Sequence, residues 1–592
     1  MKFFLCTLGH PASATLSQWL TRVPAGSVSE RYDGEEFACA GDGSRIARLG
    51  ALVTVGQVRL DNRQSVAAWA GVPAHEHSDL ELVTRVFARA GISSIPKLLG
   101  DFAFAIWNAR TRSLVAARDA FGIRTLFHRA ADDGLVLSSR ASLLADEWKF
   151  DLGYLADFLV AGSDPSEPTP YAGVSSVPSG ALLEVRRGRR CLTTYWSPSM
   201  FDATAYEPEP DDPVELVSRF RTVFLEGVEA RATDQCPVWS QLSGGLDSSS
   251  VVSAVTHLAR EGRVAPIAGT VTFVDTVADD ERPFSGAVVE KCGVPNHQLT
   301  DFWMWQDDGL APPRTEAPVE TYPFYARDRR ACDIIAAGGA RVLLTGQGGD
   351  QYLSGPPFHI ADRIARHDYA RAAKLALDWA IDGRVSFWNV IAKYGLAPLL
   401  PAPVRTRLAA SHFRTPPWIR PRFAREMTVA RRHGYNRMLA GPRGRKFAAL
   451  LAYETAHFGR YSDVTLYHER FELRHPFLYR PLVELALGLP ISLRARPGQQ
   501  KWILRQAMRG ILPERVCHRR AKGTVDGRMV WSLAREKALV DWLLHDPILA
   551  DLGCIEPAPL RATALDAARG ALGHIVPLIA ALSLETWLRV RT

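Results

Sequence analysis

The sequence predicts a chain of two unlike halves: an α+β front domain layered from strands, then an α/β domain whose C-terminal part is helical. Three observations carry this. Short apolar runs punctuated by turn residues dominate residues 1–205. The stretch FDATAYEPEPDDPVEL, Phe201 to Leu216, replaces apolar periodicity with prolines and acids and marks a boundary near residue 205. Beyond it, buried-strand patterns alternate with helical ones, the mark of a doubly wound parallel sheet. The expected domains are 1–205 and 206–592, the second with a basic, helical insertion at about 355–450.

In the front half, TLFHRAADDGLVLSS sets two apolar runs on either side of Asp132-Asp133-Gly134, a hairpin signature. GDFAFAIWNARTRSLVAARD reads as another strand pair, turning at Asn108 to Arg112. In the second half, CPVWSQL reads as a buried strand and SGGLDS as a turn. SSVVSAVTHLAREG follows as a helix with Val251, Val252, Val255, Leu258 and Ala259 on one face and Gly262 as its stop. GTVTFVD and ARVLLT are two further buried strands, and beyond residue 355 the pattern is chiefly helical.

Composition narrows the class. A chain of 592 residues with 47% hydrophobic and 23% charged residues is neither disordered nor fibrous. The longest apolar run near the C-terminus, HIVPLIAALSL, is short and broken by Pro577, so no membrane span is expected. His10 and Pro11 end the N-terminal apolar stretch too early for a signal peptide. The eight cysteines form no C-x-x-C pair, against zinc fingers and disulfide scaffolds. A reduced, cytoplasmic protein is expected. Charge is uneven: Val404 to Lys446 holds twelve Lys or Arg against the single acid Glu426, a balance of +11 in a chain carrying +8. With Phe413, Trp418, Phe423 and Tyr435 interleaved, this segment reads either as a docking surface or as a solvated insertion.

Two loops carry the chemistry. WSQLSGGLDSSSVVSAV joins a strand to a helix through Ser243, Gly244, Gly245, Asp247 and Ser248. A glycine turn at a helix N-terminus points backbone N–H groups outward and suits phosphate, although alone it is equally a plain turn. No G-x-x-x-x-G-K-[ST] motif occurs, so this is not a Walker loop. VLLTGQGGDQYLSG supplies a second strand end with Gly346, Gly348, Gly349 and Asp350. Ligands bind outside the C-terminal ends of parallel strands, and Mg²⁺ takes one or two carboxylates plus phosphate oxygens, so Asp247 and Asp350 are the expected metal pair for ATP.

SGGLDS resembles the pyrophosphatase-loop signature of enzymes that cleave ATP between its α- and β-phosphates. GQVRLDNR, GDFAFAIWN, ARDAFGIRTLF, YAGVSSVPSGALLEV, LLTGQGGDQ, ELRHPFLYRPLVELALGLP and KWILRQAMRGILPERV are similar, in order, to the asparagine synthetase superfamily. The resemblance implies a glutaminase-like (Ntn-type) layered β domain followed by an adenine-nucleotide alpha-hydrolase-like (PP-loop) synthetase domain. It also implies Lys522, in HRRAKGT, beside the α-phosphate, and Glu472, in FELRHPF, as a base; the spacing from Pro513 is one residue longer than in the family, so Arg519 or Arg520 either shares the work of Lys522 or is a plain solvent-facing arginine. Asp280 and Glu281 match an acidic pair that equally reads as a helix cap. Leu242 and Phe273 line the adenine pocket or simply pack in the core.

Asparagine synthetases draw ammonia from glutamine with a cysteine exposed as residue one, whose own amine is the base. Here position 2 is Lys, and Cys6 is expected as a buried strand residue. An amine carried on the substrate is then expected, as in the lasso peptide cyclases and, second, the β-lactam synthetases. Where the latter place a tyrosine base, this chain has Gln347. A peptide α-amine, with a reference pKa of about 7.7–8.0, needs little help to lose its proton, which favours the lasso reading. The partners expected are a precursor peptide and a leader peptidase or leader-binding protein, not nucleic acid or membrane.

Overall fold

The computed structural model describes residues 3–42, 45–131, 134–146, 148–160, 169–201, 213–233, 236–275, 281–319, 321–401, 403–405, 407–408, 414–429, 466–519 and 526–591. Two compact units are present. One comprises Met1–Tyr154, Pro165–Met200 and Thr455–Val464, the other Leu155–Asp164, Phe201–Glu454 and Thr465–Thr592.

The first unit holds two antiparallel sheets. In one, β1 (Phe4–Gly9), β2 (Glu30–Tyr32), β3 (Phe37–Gly41), β8 (Phe127–Ala131), β9 (Gly134–Ser138) and β10 (Ser175–Ser176) run in the order β10-β8-β9-β1-β3-β2. In the other, β4 (Ile46–Leu49), β5 (Leu52–Leu60), β6 (Gly100–Asn108), β7 (Ser113–Arg118), β11 (Ala181–Arg186) and β12 (Arg189–Thr194) run β12-β11-β7-β6-β5-β4. Period-two alternation explains the layering. Along β6, Ala103, Ala105 and Trp107 join Phe4, Cys6, Phe37 and Leu137 in a core made by both sheets. Phe102, Phe104 and Ile106 face the other way, onto Val83 and Val86 of the helix Asp79–Ala90. With both faces covered, β6 reads as an unbroken apolar run.

Local chemistry sets the connections. Ser78 and Glu81 close a capping box at the start of that helix. Asn108 Oδ1 accepts from the N–H groups of Arg110 (3.0 Å) and Thr111 (3.3 Å), and Arg112 takes a φ of 50°, turning β6 into β7 where the sequence predicted. The second expected hairpin also forms, β8 pairing with β9, although Asp132 and Asp133 lie outside the described residues.

The second unit is built on a five-stranded parallel sheet, β13 (Val238–Gln241), β14 (Gly269–Phe273), β15 (Asn296–Leu299), β16 (Val342–Leu344) and β17 (Glu472–Arg474), in the order β15-β14-β13-β16-β17. All four pairings are parallel. The predicted strands are β13, β14 and β16, its centre. Neither β15 nor β17 was expected: they are the edges, and β15 carries the polar sequence NHQL. The helix Leu246–Arg260 follows β13 with Val251, Val252, Val255 and Leu258 buried. Beyond residue 355 the described elements are helical except β17 and the small hairpin β18 (Ala495–Arg496) and β19 (Gln499–Gln500). Of the basic insertion, helices His359–Ala365, Tyr369–Gly383 and Pro421–Glu426 are among the described elements, while residues 430–446 lie outside the description.

Among the described residues no helix is long and apolar enough to cross a membrane.

Candidate active site

Strand order puts the two glycine loops side by side. From β13 the chain winds outward through β14 and β15 on one flank, and β16 and β17 lie on the other, so the order reverses between β13 and β16. A crevice opens at such a reversal, outside the C-terminal ends of the strands. Ser243–Ser248 leaves the end of β13 and Gly346–Asp350 the end of β16, one loop on each side.

The first loop is held by its own serines. Ser248 Oγ accepts from Ser243 N–H (3.1 Å) and stands 3.0 Å from Ser243 Oγ, which accepts from Gly245 N–H (3.3 Å). Gly244 has a φ of 70°, and a Cβ there would lie 2.8 Å from Ser285 N. In the second loop Gly348 has a φ of 107°. The loops touch through missing side chains: a Cβ on Gly346 would lie 2.5 Å from Ser248 N, and one on Gly349 2.8 Å from Asp247 Cγ. Glycine here permits close approach. Thr345 binds the second loop to β17, its Oγ accepting from Gln347 N–H (3.2 Å) and lying 2.7 Å from the buried His475 Nδ1.

Asp247 and Asp350 each sit in the first turn of a helix, Leu246–Arg260 and Gly349–Leu353. Both meet the ammonium of Lys501, which donates to Asp247 Oδ2 and lies 2.6 Å from Asp350 Oδ1. Burial alone would push the Lys501 pKa down, but Asp247 and Asp350 overcome it and hold the value above the ordinary lysine range. Sequence reasoning missed Lys501 as a site residue, although it opens the motif KWILRQAM. The available signal was a lysine immediately before a helix, where the helix dipole disfavours a cation.

Arg519 supports the first loop from behind. Its guanidinium donates to the Gly244 carbonyl (3.2 Å) and to Glu281 (3.0 Å), and stacks over Phe284 at 4.2 Å. Glu281 precedes the helix Arg282–Cys292 and binds Arg519 rather than capping by its side chain. Leu242 is buried, its N–H bonded to the Val271 carbonyl, and Phe273 at the end of β14 carries the Arg327 guanidinium 4.3 Å over its ring. Lys522, Arg520 and Asp280 lie outside the described residues.

Glu472, expected as a base, lies in β17. It opens β17 in register with Val342, the first residue of β16, and its carboxylate accepts from Arg474 (3.0 Å). Gly346 lies past the opposite end of β16. The register sets the Glu472 backbone at the N-terminal end of the β16–β17 pair. In the first unit, Cys6 sits fully buried in β1 opposite Cys39 and Leu137, and burial raises its thiol pKa well above the usual value.

Residues 219–589 match the family model for asparagine synthase, well over half of the chain. The chain belongs to the asparagine synthase family. Residues 62–196 match the glutamine amidotransferase domain, so an amidotransferase-like fold precedes the synthase domain. Members of the synthase family are ATP-dependent amide-bond-forming ligases, and this chain is one of them. Similar proteins include "Amidase chry2" of Gibberella zeae, 24% identical over 522 residues, 77% of this chain and 74% of that protein. Another is glutamine-hydrolyzing asparagine synthetase 1 of Bacillus subtilis, 24% identical over 491 residues, 76% of this chain and 72% of the relative. A solved glutamine phosphoribosylpyrophosphate amidotransferase from B. subtilis is 11% identical, covers 60% of this chain and 82% of its own, and has a TM-score of 0.24, too low to carry an argument.

The family uses ATP. The residues present fit a nucleotide accompanied by Mg²⁺: two carboxylates converge beside a glycine cradle, and among the described residues no cluster of three or more His, Cys, Asp or Glu could hold a metal unaided. Mg²⁺ at such a carboxylate pair commonly takes its remaining ligands from phosphate and water.

Proposed function

We propose that this synthase joins an amine and a carboxylate of one peptide, closing a macrolactam between the peptide α-amine and an Asp or Glu side chain. The single observation that carries the substrate-borne amine is the buried Cys6. A thiol at the middle of a strand, desolvated and raised in pKa, is a poor nucleophile for glutamine, which supports an amine that arrives on the substrate.

In this reading ATP is a substrate. The Ser243–Ser248 loop at the head of its helix receives its phosphates, and Asp247 and Asp350 hold Mg²⁺, which would neutralise charge on the departing pyrophosphate. Gly346 and Gly349 keep the cradle open, Arg519 fixes the Gly244 carbonyl, and Leu242 and Phe273 flank the adenine side. The substrate carboxylate attacks the α-phosphorus and pyrophosphate leaves. The amine then attacks the mixed anhydride, loses a proton and expels AMP, a net loss of one water from the peptide. Lys522 is assigned to the developing oxyanion on family resemblance.

The basic segment 404–446 is proposed as the dock for the peptide or its leader-processing partner, and the cytoplasm as the site of action. A second reading, amide formation with free ammonia, is favoured by the relatives named as asparagine synthetases.

Incubation with ATP and candidate linear peptides, followed by mass spectrometry and nucleotide analysis, decides. Loss of one water with AMP release supports the proposal. Ammonia liberated from glutamine with aspartate converted to asparagine would replace it with the second reading.

A further inference from the structure

The two carboxylates expected to grip the metal already grip a cation. Lys501 Nζ lies between Asp247 and Asp350, with side-chain exposure of 11% against 12% and 77% for its partners. Its backbone has a φ of 59°, the left-handed region that non-glycine residues rarely adopt. It stands immediately before the helix Trp502–Ala507, an end that disfavours positive charge. Backbone, helix and desolvation all oppose a lysine here, and only the two aspartates compensate. That balance suits a residue whose ammonium has a task at this point in the site.

We propose that Lys501 is a gate on metal entry: its ammonium occupies the space between Asp247 and Asp350, excludes free divalent cations, and yields the carboxylates only to a metal arriving with a polyphosphate. The inference rests on the reading that these aspartates face the nucleotide's metal. With Lys501 in place the trio carries one net negative charge, and a dication entering alone meets an ammonium a few ångströms away. A polyphosphate changes the balance, because it brings oxygens for the metal and negative charge for the displaced ammonium.

The test uses the full chain, stripped of metal, and Mn²⁺ as the probe, followed by the electron paramagnetic resonance of free Mn²⁺. Nucleotide-free wild type should bind no Mn²⁺ through Asp247, and a non-hydrolysable ATP analogue should create one bound ion. Lys501→Met should bind one Mn²⁺ without nucleotide, at least about tenfold tighter than wild type, since a full positive charge has left the ion's neighbourhood. Lys501→Arg should resemble wild type, and Lys501→Met with Asp247→Asn should lose the gained ion.

Equal Mn²⁺ affinity in Lys501→Met and wild type overturns the gate. If Lys501→Met does not fold, the wild-type titration decides: Asp247-dependent Mn²⁺ binding without nucleotide overturns the gate, and binding only with the analogue supports it. AMP formation by wild type is scored separately. AMP with no gain in Lys501→Met sinks the gate alone, whereas no AMP with a gained ion sinks the carboxylate-activation reading alone.

Discussion

The two units bury polar groups to different ends. In the first, Asp119 is fully buried and accepts the N–H groups of Phe102, Phe121, Ile123 and Arg124 at 2.9–3.2 Å, tying the end of β7 to the following turn. Arg59 is spent on Asp61 and Asp101, both at 2.7 Å. Cys6 fills space between the sheets. In the second unit the polar groups gather at strand ends, where Lys501 binds two carboxylates that belong to different loops and one of which, Asp350, is largely exposed. Satisfied polar groups inside a core stabilise a shape; charge concentrated at a crevice, with one partner open to solvent, can exchange its partner for a ligand. The lesson is that a domain's chemistry is read from where its polar groups can still be reached.

The largest expected effect that would break this contrast lies in the second unit. Asp247→Ala should lower AMP formation by at least about 100-fold, comparable to losing one preorganised electrostatic group. Asp350→Ala should cost roughly tenfold less, because the exposed carboxylate is more readily replaced by water. Single-turnover assays of AMP release check both, and an active Asp247→Ala would remove the two-carboxylate model. Next comes Gly346→Ala. Its Cβ would press on Ser248 N, so ATP affinity should fall by about tenfold and the fold should lose about 1–3 kcal/mol of stability. Calorimetric nucleotide titration and thermal melts read the two separately.

The pH responses should have opposite signs. His359, in the second unit, is pushed down to about 3 by burial, then by Arg363 and Arg494. It stays neutral when folded while the unfolded imidazole protonates near 6.5, so its contribution to stability is lost as pH falls below that value, by up to about 1.4 kcal/mol per pH unit. Asp119 is raised to about 6 by burial and then by Asp101. Its folded form keeps a proton that the unfolded chain loses near 3.8, so its contribution is full in acid and is lost as pH rises through about 6. NMR titration of the two side chains, with calorimetry across the same range, should find acid weakening the second unit and sparing the first.

The smallest effect tests the proposal that the front unit supplies no nitrogen. Cys6→Ala should cost about 1 kcal/mol of stability and leave AMP formation within twofold of wild type. A large loss of activity in that variant would return chemistry to the first unit.

The local half of this protein was legible from residue types. Strand periodicity marked β6, β7, β13, β14 and β16, because alternation and unbroken apolar runs are set by which faces are covered. Glycines at strand ends marked both loops, since close backbone approach excludes a Cβ whatever the rest of the fold does. The edge strands escaped notice: β15 is polar because one side faces no neighbour, and β17 is short and follows a long insertion. Tertiary structure alone decided that Glu472 pairs with Val342 at the start of β16, since parallel register is fixed by pairing between strands and not by neighbours in sequence. It alone brought Lys501 to Asp247, 254 residues away, because an ion pair between distant segments leaves no periodic trace in either.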